Sequence, residues 1–335
     1  MKEIIAPVER ELLKKELKQR FFLRPTNKAG NMIYDITAHD APNVMREIAR
    51  LREISYRKGG GSTGNEMDMD EMDTMKKPYR QIVVWDPDNE EIVGGYRYLC
   101  GADAQLDAQG QPIITSAHLF YYTNYFVQDY LPHTIELGRA FVQPKYQDRD
   151  MGAKALYALD NVWDGIGAVL YRHPEIYYLI GKVTIYPSFE ATSRDLIYAY
   201  LQRYHRDRKG LFRPYKPVDI SPTAQRIADE IFVGDDERLN YSVLLHTLRE
   251  RGEVIPPMFS AYMNLTHTLQ FFGNAVNDEL ANAYETGILV TVNDINEDKR
   301  ARYIGVYITY LHETAISRRC RRGDGQQTFD YHRGW

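Results

Sequence analysis

The order of hydrophobic patterns in this chain predicts a mixed α/β (α+β) fold: a twisted sheet with helices on both faces. Three observations carry that expectation. Arg80 to Trp85 and Glu91 to Leu99 are strand-like runs around Pro87-Asp88-Asn89, the pattern of a β-hairpin. His133 to Val142, a helical pattern over 150–172 and an apolar run at 176–186 spell strand, crossover helix, strand. Two late apolar runs, Gly287 to Val292 and Arg302 to Thr309, predict a final strand pair. A hairpin beside a crossover unit calls for a sheet with both antiparallel and parallel neighbours.

Each element has a local reason. Residues 6–20 place Val8, Leu12, Leu13 and Leu17 on one side and lysines on the other, which predicts an amphipathic helix within a separate N-terminal segment, 1–30. The main domain is expected over 31–316. Phe21 to Arg24 and Met32 to Thr37 are short strands, and 41–57 is a helix with Val44, Ile48, Leu51 and Ile54 in register. Gly59 to Thr74 is a glycine-rich, acidic loop. Residues 115–131 are aromatic and fit helix or strand equally well. The crossover helix carries Leu156, Leu159, Val162, Trp163, Ile166, Val169 and Leu170, and a further helix is expected over 190–206. Residues 219–282 read as a helical insertion before the last strands. Residues 317–335, rich in Arg, Gly and Gln, read as a frayed tail.

The segment His133-Thr-Ile-Glu136-Leu-Gly-Arg139-Ala-Phe-Val142 is chemically unusual. A carboxylate and a guanidinium lie three residues apart in an otherwise apolar strand. Burying an ion costs several kcal/mol unless it is paired or used, so Glu136 and Arg139 mark either a site or a structural ion pair. Strict alternation would aim them at opposite faces, and a bulge near Gly138 would be needed to aim both at one cleft. After the strand, Asp148-Arg149-Asp150-Met151-Gly152-Ala153 precedes the helix, with Asp150 as the expected N-cap. Unpaired N–H groups at a helix start, together with Arg149, can cradle an anion.

Arg149-x-x-Gly152-x-Lys154 partly matches the pyrophosphate loop of the GNAT acyltransferases, Gln/Arg-x-x-Gly-x-Gly/Ala, with Lys154 breaking the last position. The wider order is more specific. Arg52, the acidic run Asp70 to Asp73, Gly94 to Arg97 and Glu136 to Arg139 together resemble the hemolysin-like branch of that superfamily. Its members make N-acyl amino acids, the lyso precursors of ornithine and glycine lipids. Acyl-homoserine-lactone synthases are more distant relatives sharing the acyl-ACP donor. The resemblance spans about residues 45–295. The glycine-rich loop and the hairpin bearing Trp85 bring it nearest to the Bacteroidetes-type glycine N-acyltransferases.

This resemblance implies a GNAT-like sheet whose Glu136 strand and 176–186 strand run parallel and then splay, leaving a gap for a thioester arm. It implies Glu136 as general base, with Arg139 beside it as catalytic partner. A backbone N–H near Phe141 or Val142 would polarise the thioester carbonyl. Arg149 and the N–H groups of Met151, Gly152 and Ala153 would hold the phosphopantetheine phosphate. Asp70, Asp73 and Arg97 would position the amino acid, with Arg52, Arg97 or Arg139 taking its carboxylate. The co-substrate is expected to be an acyl-phosphopantetheine thioester, acyl-ACP first and acyl-CoA as the alternative, with no permanently bound cofactor and no metal. The expected acceptor is glycine, with ornithine second.

Composition narrows the alternatives. The 335 residues are 44% hydrophobic, enough for a substantial core. The net charge of −4 disfavours bulk nucleic-acid binding. No apolar run approaches the ~18 residues of a membrane span, and the N-terminus lacks a signal-peptide core. Cys100 and Cys320 give neither a disulfide framework nor a metal spacing. The expected location is the cytoplasm, peripherally on the inner membrane face. A His-x4-Asp acyltransferase motif, a Gly-x-Ser-x-Gly elbow and a His/Cys cluster are all missing. Leu119 to Phe126 reads as an acyl tunnel or an aromatic core segment. Arg203 to Lys216, basic and interleaved with tyrosines, reads as a dock for acyl carrier protein or an anionic bilayer, or as a solvated helix end. A non-catalytic membrane-peripheral binding protein would have little reason to keep both Glu136 and Arg139.

Overall fold

A computed structural model describes residues 1–322. In chain order the elements are α1 (Arg10–Glu16), β1 (Phe22–Pro25), β2 (Met32–Ile36), α2 (Pro42–Gly59), α3 (Glu71–Thr74), β3 (Arg80–Asp86), β4 (Glu91–Cys100), β5 (Phe120–Tyr122) and β6 (Thr134–Val142). Then follow α4 (Ala153–Leu156), α5 (Ala158–Arg172), β7 (Tyr178–Ile185), α6 (Ala191–Tyr204), β8 (Phe212–Pro214), α7 (Pro222–Ile231), α8 (Glu237–Glu250) and α9 (Pro257–Met263). The chain closes with β9 (Gln270–Asn277), β10 (Ala283–Thr291), α10 (Glu297–Arg300) and α11 (Val306–Arg322).

The large sheet has the strand order β1-β2-β3-β4-β6-β7-β10-β9. Every neighbour pair is antiparallel except β6 and β7, which the α5 crossover makes parallel. The predicted mixed sheet is therefore present, as are the β3–β4 hairpin and the strand–helix–strand unit. One apolar face packs on α5 and α6, where Trp163, Ile166, Leu196 and Ile197 are buried. The other packs partly on α2, through Val44, Ile48 and Leu51.

Six features differ from the sequence reading. The first helix covers only Arg10–Glu16, after Pro7 has removed a backbone donor. Segment 1–30 is not separate, because β1 pairs with β2 and Glu16 accepts hydrogen bonds from the Asn43 and Val44 N–H groups at the start of α2 (2.8 and 3.0 Å). That carboxylate serves where Ala41, the N-cap residue, offers no side-chain acceptor. The crossover helix is broken at Tyr157, and Gly152 rather than Asp150 precedes its first turn, with φ +54°. Residues 302–309 are helical. Tyr303 and Tyr307, four residues apart, both reach the core from one helix face, and that packing outweighs the β propensity of Ile304, Val306 and Ile308. The strand that pairs with β10 is instead β9, so the helical insertion ends at α9. The last helix runs through 317–322; the rest of the expected tail lies outside the described residues.

Leu119 to Phe126 settles as core. Phe120, Tyr122 and Phe126 are buried with Phe212 and Phe272, whose rings stack at 3.6 Å between centroids. None of the three lines the large cavity described below.

Candidate active site

β6 and β7 pair only from Thr134 opposite Tyr178 to Leu137 opposite Gly181. Beyond that point both strands continue unpaired, to Val142 and Ile185. A cavity of about 640 Å³ opens between them, lined on one side by Leu137 to Ala140 and on the other by Lys182 to Tyr186. The anticipated splay therefore exists, and this cavity is the gap it leaves.

The bulge that would aim Glu136 and Arg139 into one cleft is also present. Gly95 pairs with Phe141 and Arg97 with Gly138, so β6 has two residues, Arg139 and Ala140, opposite the single residue Tyr96. Arg139 takes φ +56°, the left-handed region that a non-glycine residue seldom adopts. This turn resets the alternation, and both Glu136 and Arg139 reach the cavity wall.

Glu136 is 4% exposed and has no cationic partner at salt-bridge distance among the described residues. Four donors hold it instead: the Tyr79 hydroxyl, the Thr115 N–H (3.0 Å), the Ser116 N–H (2.8 Å) and the Ser116 hydroxyl. Ser116 Oγ also lies 2.6 Å from Tyr122 Oη, extending a hydroxyl chain into the aromatic core. Sequence reasoning missed all of these partners, since scattered Tyr, Thr and Ser residues carry no pattern. The phenols of Tyr56 and Tyr186, also on the cavity wall, are pushed up to about 12 by burial. They therefore stay protonated as neutral donors.

The acidic loop is pinned by arginines. Arg139 pairs with Asp68 and with Asp70 (2.9 Å), and Arg97 with Asp70 (2.7 Å) and Asp73 (3.2 Å). Arg52 pairs with Asp73 (3.2 Å) and with the Gln81 side chain. Asp70 and Asp73 also close a capping box on α3. Burial opposes the charge on Asp73, yet Arg52 and Arg97 hold its carboxyl below the usual range.

The structure sorts the residues expected in the site. Glu136, Arg139 and Asp70 line the cavity. Arg52, Asp73 and Arg97 do not. All three side chains are fully buried behind the wall, where they fix Asp70 rather than face a ligand. Phe141 and Val142 lie past the wall, whose β6 portion ends at Ala140. Gln143 donates its N–H to Val93 of β4, so by alternation Phe141 faces β4 and Val142 faces the α2 side, where Ser55 Oγ reaches its carbonyl at 3.2 Å. Of the two, only Val142 can turn an N–H toward the gap. Arg149, Met151, Gly152 and Ala153 form a largely exposed turn outside the cavity wall. Asp148 already accepts the Asp150 N–H there, and Lys154 is drawn away to Asp86 and Asp88.

Two wall residues were not anticipated. Lys182 and Glu285 stand 3.8 Å apart on β7 and β10. Lys182 sits in the run 176–186 that reads from sequence as an ordinary strand, Glu285 just before the expected strand at Gly287, and only strand pairing brings them together. The glycine-rich loop meets the same rim: Gly59 lines the cavity, and a side chain at Gly61 would collide with the Tyr186 ring.

Among the described residues no His, Cys, Asp and Glu group is arranged to hold a metal ion. No helix there is long and apolar enough to cross a membrane.

Comparison with known proteins places this geometry. Residues 51–156, which include β3, β4, β6 and the exposed turn, match the acetyltransferase (GNAT) domain. A glycine N(alpha)-acyltransferase of Bacteroides thetaiotaomicron is 48% identical over 320 residues, covering 96% of this chain and 94% of the relative. A glycine N(alpha)-acyltransferase of Phocaeicola vulgatus is 47% identical over 308 residues, covering 92% and 94%. Among solved structures, the CoA-dependent acyl-homoserine lactone synthase MesI aligns with a TM-score of 0.35 and 11% identity over 82% of this chain and 95% of its own, a likeness too remote to carry a chemical argument. Near-full-length identity of almost one half, on top of the split sheet and the GNAT segment, shows the family: the chain belongs to the GNAT-superfamily acyltransferases, in the branch that holds these glycine N(alpha)-acyltransferases.

Proposed function

We propose that the protein transfers a fatty acyl group, 3-hydroxylated or not, from the phosphopantetheine thioester of acyl carrier protein to the amine of glycine. The product is an N-acylglycine, a lyso-lipid precursor. The observation that carries this reading is the cavity between the splayed strands, with Glu136 and Arg139 on one wall and a volume of about 640 Å³, ample for a small amino acid beside an acyl thioester arm. The names of the two relatives support glycine over other amines.

In this reading the glycine ammonium first gives a proton to Glu136, directly or through a water. The free amine attacks the thioester carbon, forming the C–N bond and a tetrahedral oxyanion that the Val142 N–H faces. Collapse breaks the C–S bond. The nitrogen loses its second proton and the thiolate takes one up, so the products are the amide and the free pantetheine thiol. Asp70, clamped between Arg97 and Arg139, sets the position of the cavity wall beside the amine. The exposed turn bearing Arg149 and the N–H groups of Met151 to Ala153 is our candidate for the phosphate of the arm. We place the enzyme in the cytoplasm, touching the inner face of the membrane where its product partitions.

The cavity wall also carries Glu71, Glu253 and Glu279, which makes ornithine, with a second ammonium, the competitor to test. Purified protein is given 3-hydroxyacyl-ACP or acyl-CoA with equal labelled glycine and ornithine, and products are read by mass spectrometry. N-acylglycine from the ACP thioester is the expected product. A preference for ornithine refutes the acceptor, faster turnover of acyl-CoA refutes the donor, and no amide product refutes the reading.

A further inference from the structure

The cavity wall is acidic. It carries Asp70, Glu71, Glu136, Glu253, Glu279 and Glu285 against two basic side chains, Arg139 and Lys182. A carboxylate entering such a space is repelled nearly everywhere. Arg139 cannot offer much relief, because Asp68 and Asp70 already occupy its guanidinium.

Lys182 is different. It is the first β7 residue after the ladder with β6 ends, so its side chain stands at the mouth of the split. The side chain is only 13% exposed, and Nζ makes no hydrogen bond among the described residues. Its nearest opposite charge is Glu285 Oε1 at 3.8 Å, too far for a hydrogen bond. Burial pulls the Lys182 pKa below its ordinary value, against the carboxylates of Glu285 and Glu136. An ammonium has three donors and gains most from an acceptor that reaches it. Glu285 is held by neutral donors instead: Thr184 Oγ1 at 2.9 Å and Asn277 Nδ2 at 3.1 Å. It is 3% exposed and lines the same space.

An α-amino acid carries its two charges on neighbouring groups of one short backbone, and Lys182 and Glu285, 3.8 Å apart on adjacent strands, present the opposite pair side by side. We propose that Lys182 and Glu285 form the recognition site for the acceptor amino acid, Lys182 Nζ taking its carboxylate and Glu285 its ammonium. This rests on the N-acyltransferase reading and replaces the expectation that Arg52 or Arg97 takes the carboxylate, since both are buried behind the wall. It leaves Glu136, on the opposite strand, to accept the amine proton.

The test compares glycine with glycinamide, which keeps the amine and lacks the carboxylate, at one fixed acyl donor. Lys182→Met should raise the KM for glycine about 10- to 100-fold, the scale of one charge-assisted hydrogen bond. The KM values for glycinamide and for the donor should stay within about twofold, so the preference for glycine collapses. Lys182→Arg should recover most of it. Glu285→Gln should raise the KM of both acceptors together, since both present an ammonium. Thermal melting checks that each variant folds, and Lys182→Gln replaces Lys182→Met if the latter does not. Equal losses on glycine and glycinamide, or a fall in kcat with KM unchanged, overturn the assignment. Failure of the wild-type protein to acylate glycine with any donor removes the activity reading beneath it, a separate result.

Discussion

Replacing Glu136 by Gln tests both roles that the structure gives this carboxylate. Oε1 accepts from the Ser116 N–H and hydroxyl, and Oε2 from the Tyr79 hydroxyl and the Thr115 N–H. Glutamine keeps one acceptor oxygen and turns the other into a donor. The hydroxyl on the donor side can rotate and accept from the new amide; the backbone N–H beside it cannot. With the amide nitrogen in the Oε1 place the Ser116 N–H loses its acceptor in a buried site; in the Oε2 place the Thr115 N–H loses the carboxylate and keeps only Tyr79 Oη, at 3.0 Å. Either way a backbone N–H loses its hydrogen bond to a charged acceptor, which costs roughly 1–3 kcal/mol, and Tm should fall by a few degrees. The same change removes the proposed base, and turnover should drop about 10²- to 10⁴-fold. Differential scanning fluorimetry reads the first effect, and single-turnover amide formation with acyl-ACP reads the second. Ser116→Ala is the control: it removes one hydroxyl donor at about 0.5–1.5 kcal/mol and leaves the carboxylate in place, so turnover should be largely kept. Near-normal turnover in Glu136→Gln means the amine proton goes elsewhere. An unchanged Tm means the four hydrogen bonds do not hold the loop as described.

Asp73→Asn should act on stability before substrate binding, because it leaves Arg52 and Arg97 buried beside a neutral side chain; about 3–5 kcal/mol is at stake, and a normal Tm with only a raised KM for the amino acid would refute the buried-clamp assignment. Charge reversal at Arg206, Arg208 and Lys209, all exposed, should weaken use of acyl-ACP more than of a short acyl-pantetheine, and the difference should shrink with salt; equal losses on both donors would exclude carrier docking there. Burial pushes the Asp164 carboxyl up to about 6, although the Asn27 N–H and Arg24 oppose it. Its folded pKa therefore exceeds its unfolded one, so stability from this group is fully present below about pH 4 and is lost as pH rises through about 6. Asp164→Asn should flatten that part of the Tm-against-pH curve, and an unchanged slope would refute the assignment.

The residues alone were enough for much of this. The hairpin, the strand–helix–strand unit and the Glu136–Arg139 pair were legible because periodicity and a charged pair in an apolar run are local signals. The need for a bulge also followed from alternation, although its position and the left-handed Arg139 did not. Local signals failed where tertiary packing outweighed them. Residues 302–309 look like a strand, but helical spacing is what brings Tyr303 and Tyr307 to the core.

Chemical type did not reveal exposure either. Arg52, Asp73 and Arg97 have the residue types of a binding site, yet the three-arginine clamp on the acidic loop turns them inward and leaves Asp70 at the wall. Lys182 and Glu285 show the converse. They are 103 positions apart in sequence and gave no signal, because their pairing depends on the register between β7 and β10 and on a ladder that stops one residue before Lys182. By itself the sequence marked Glu136 and Arg139 as charges that an apolar strand would have to bury, and Arg52, Asp70, Asp73 and Arg97 as candidate binding groups, because residue type and local pattern are read directly along the chain. Only the tertiary structure decided which of them face the cavity, because facing is set by bulges, strand register and partner charges that lie far away along the chain.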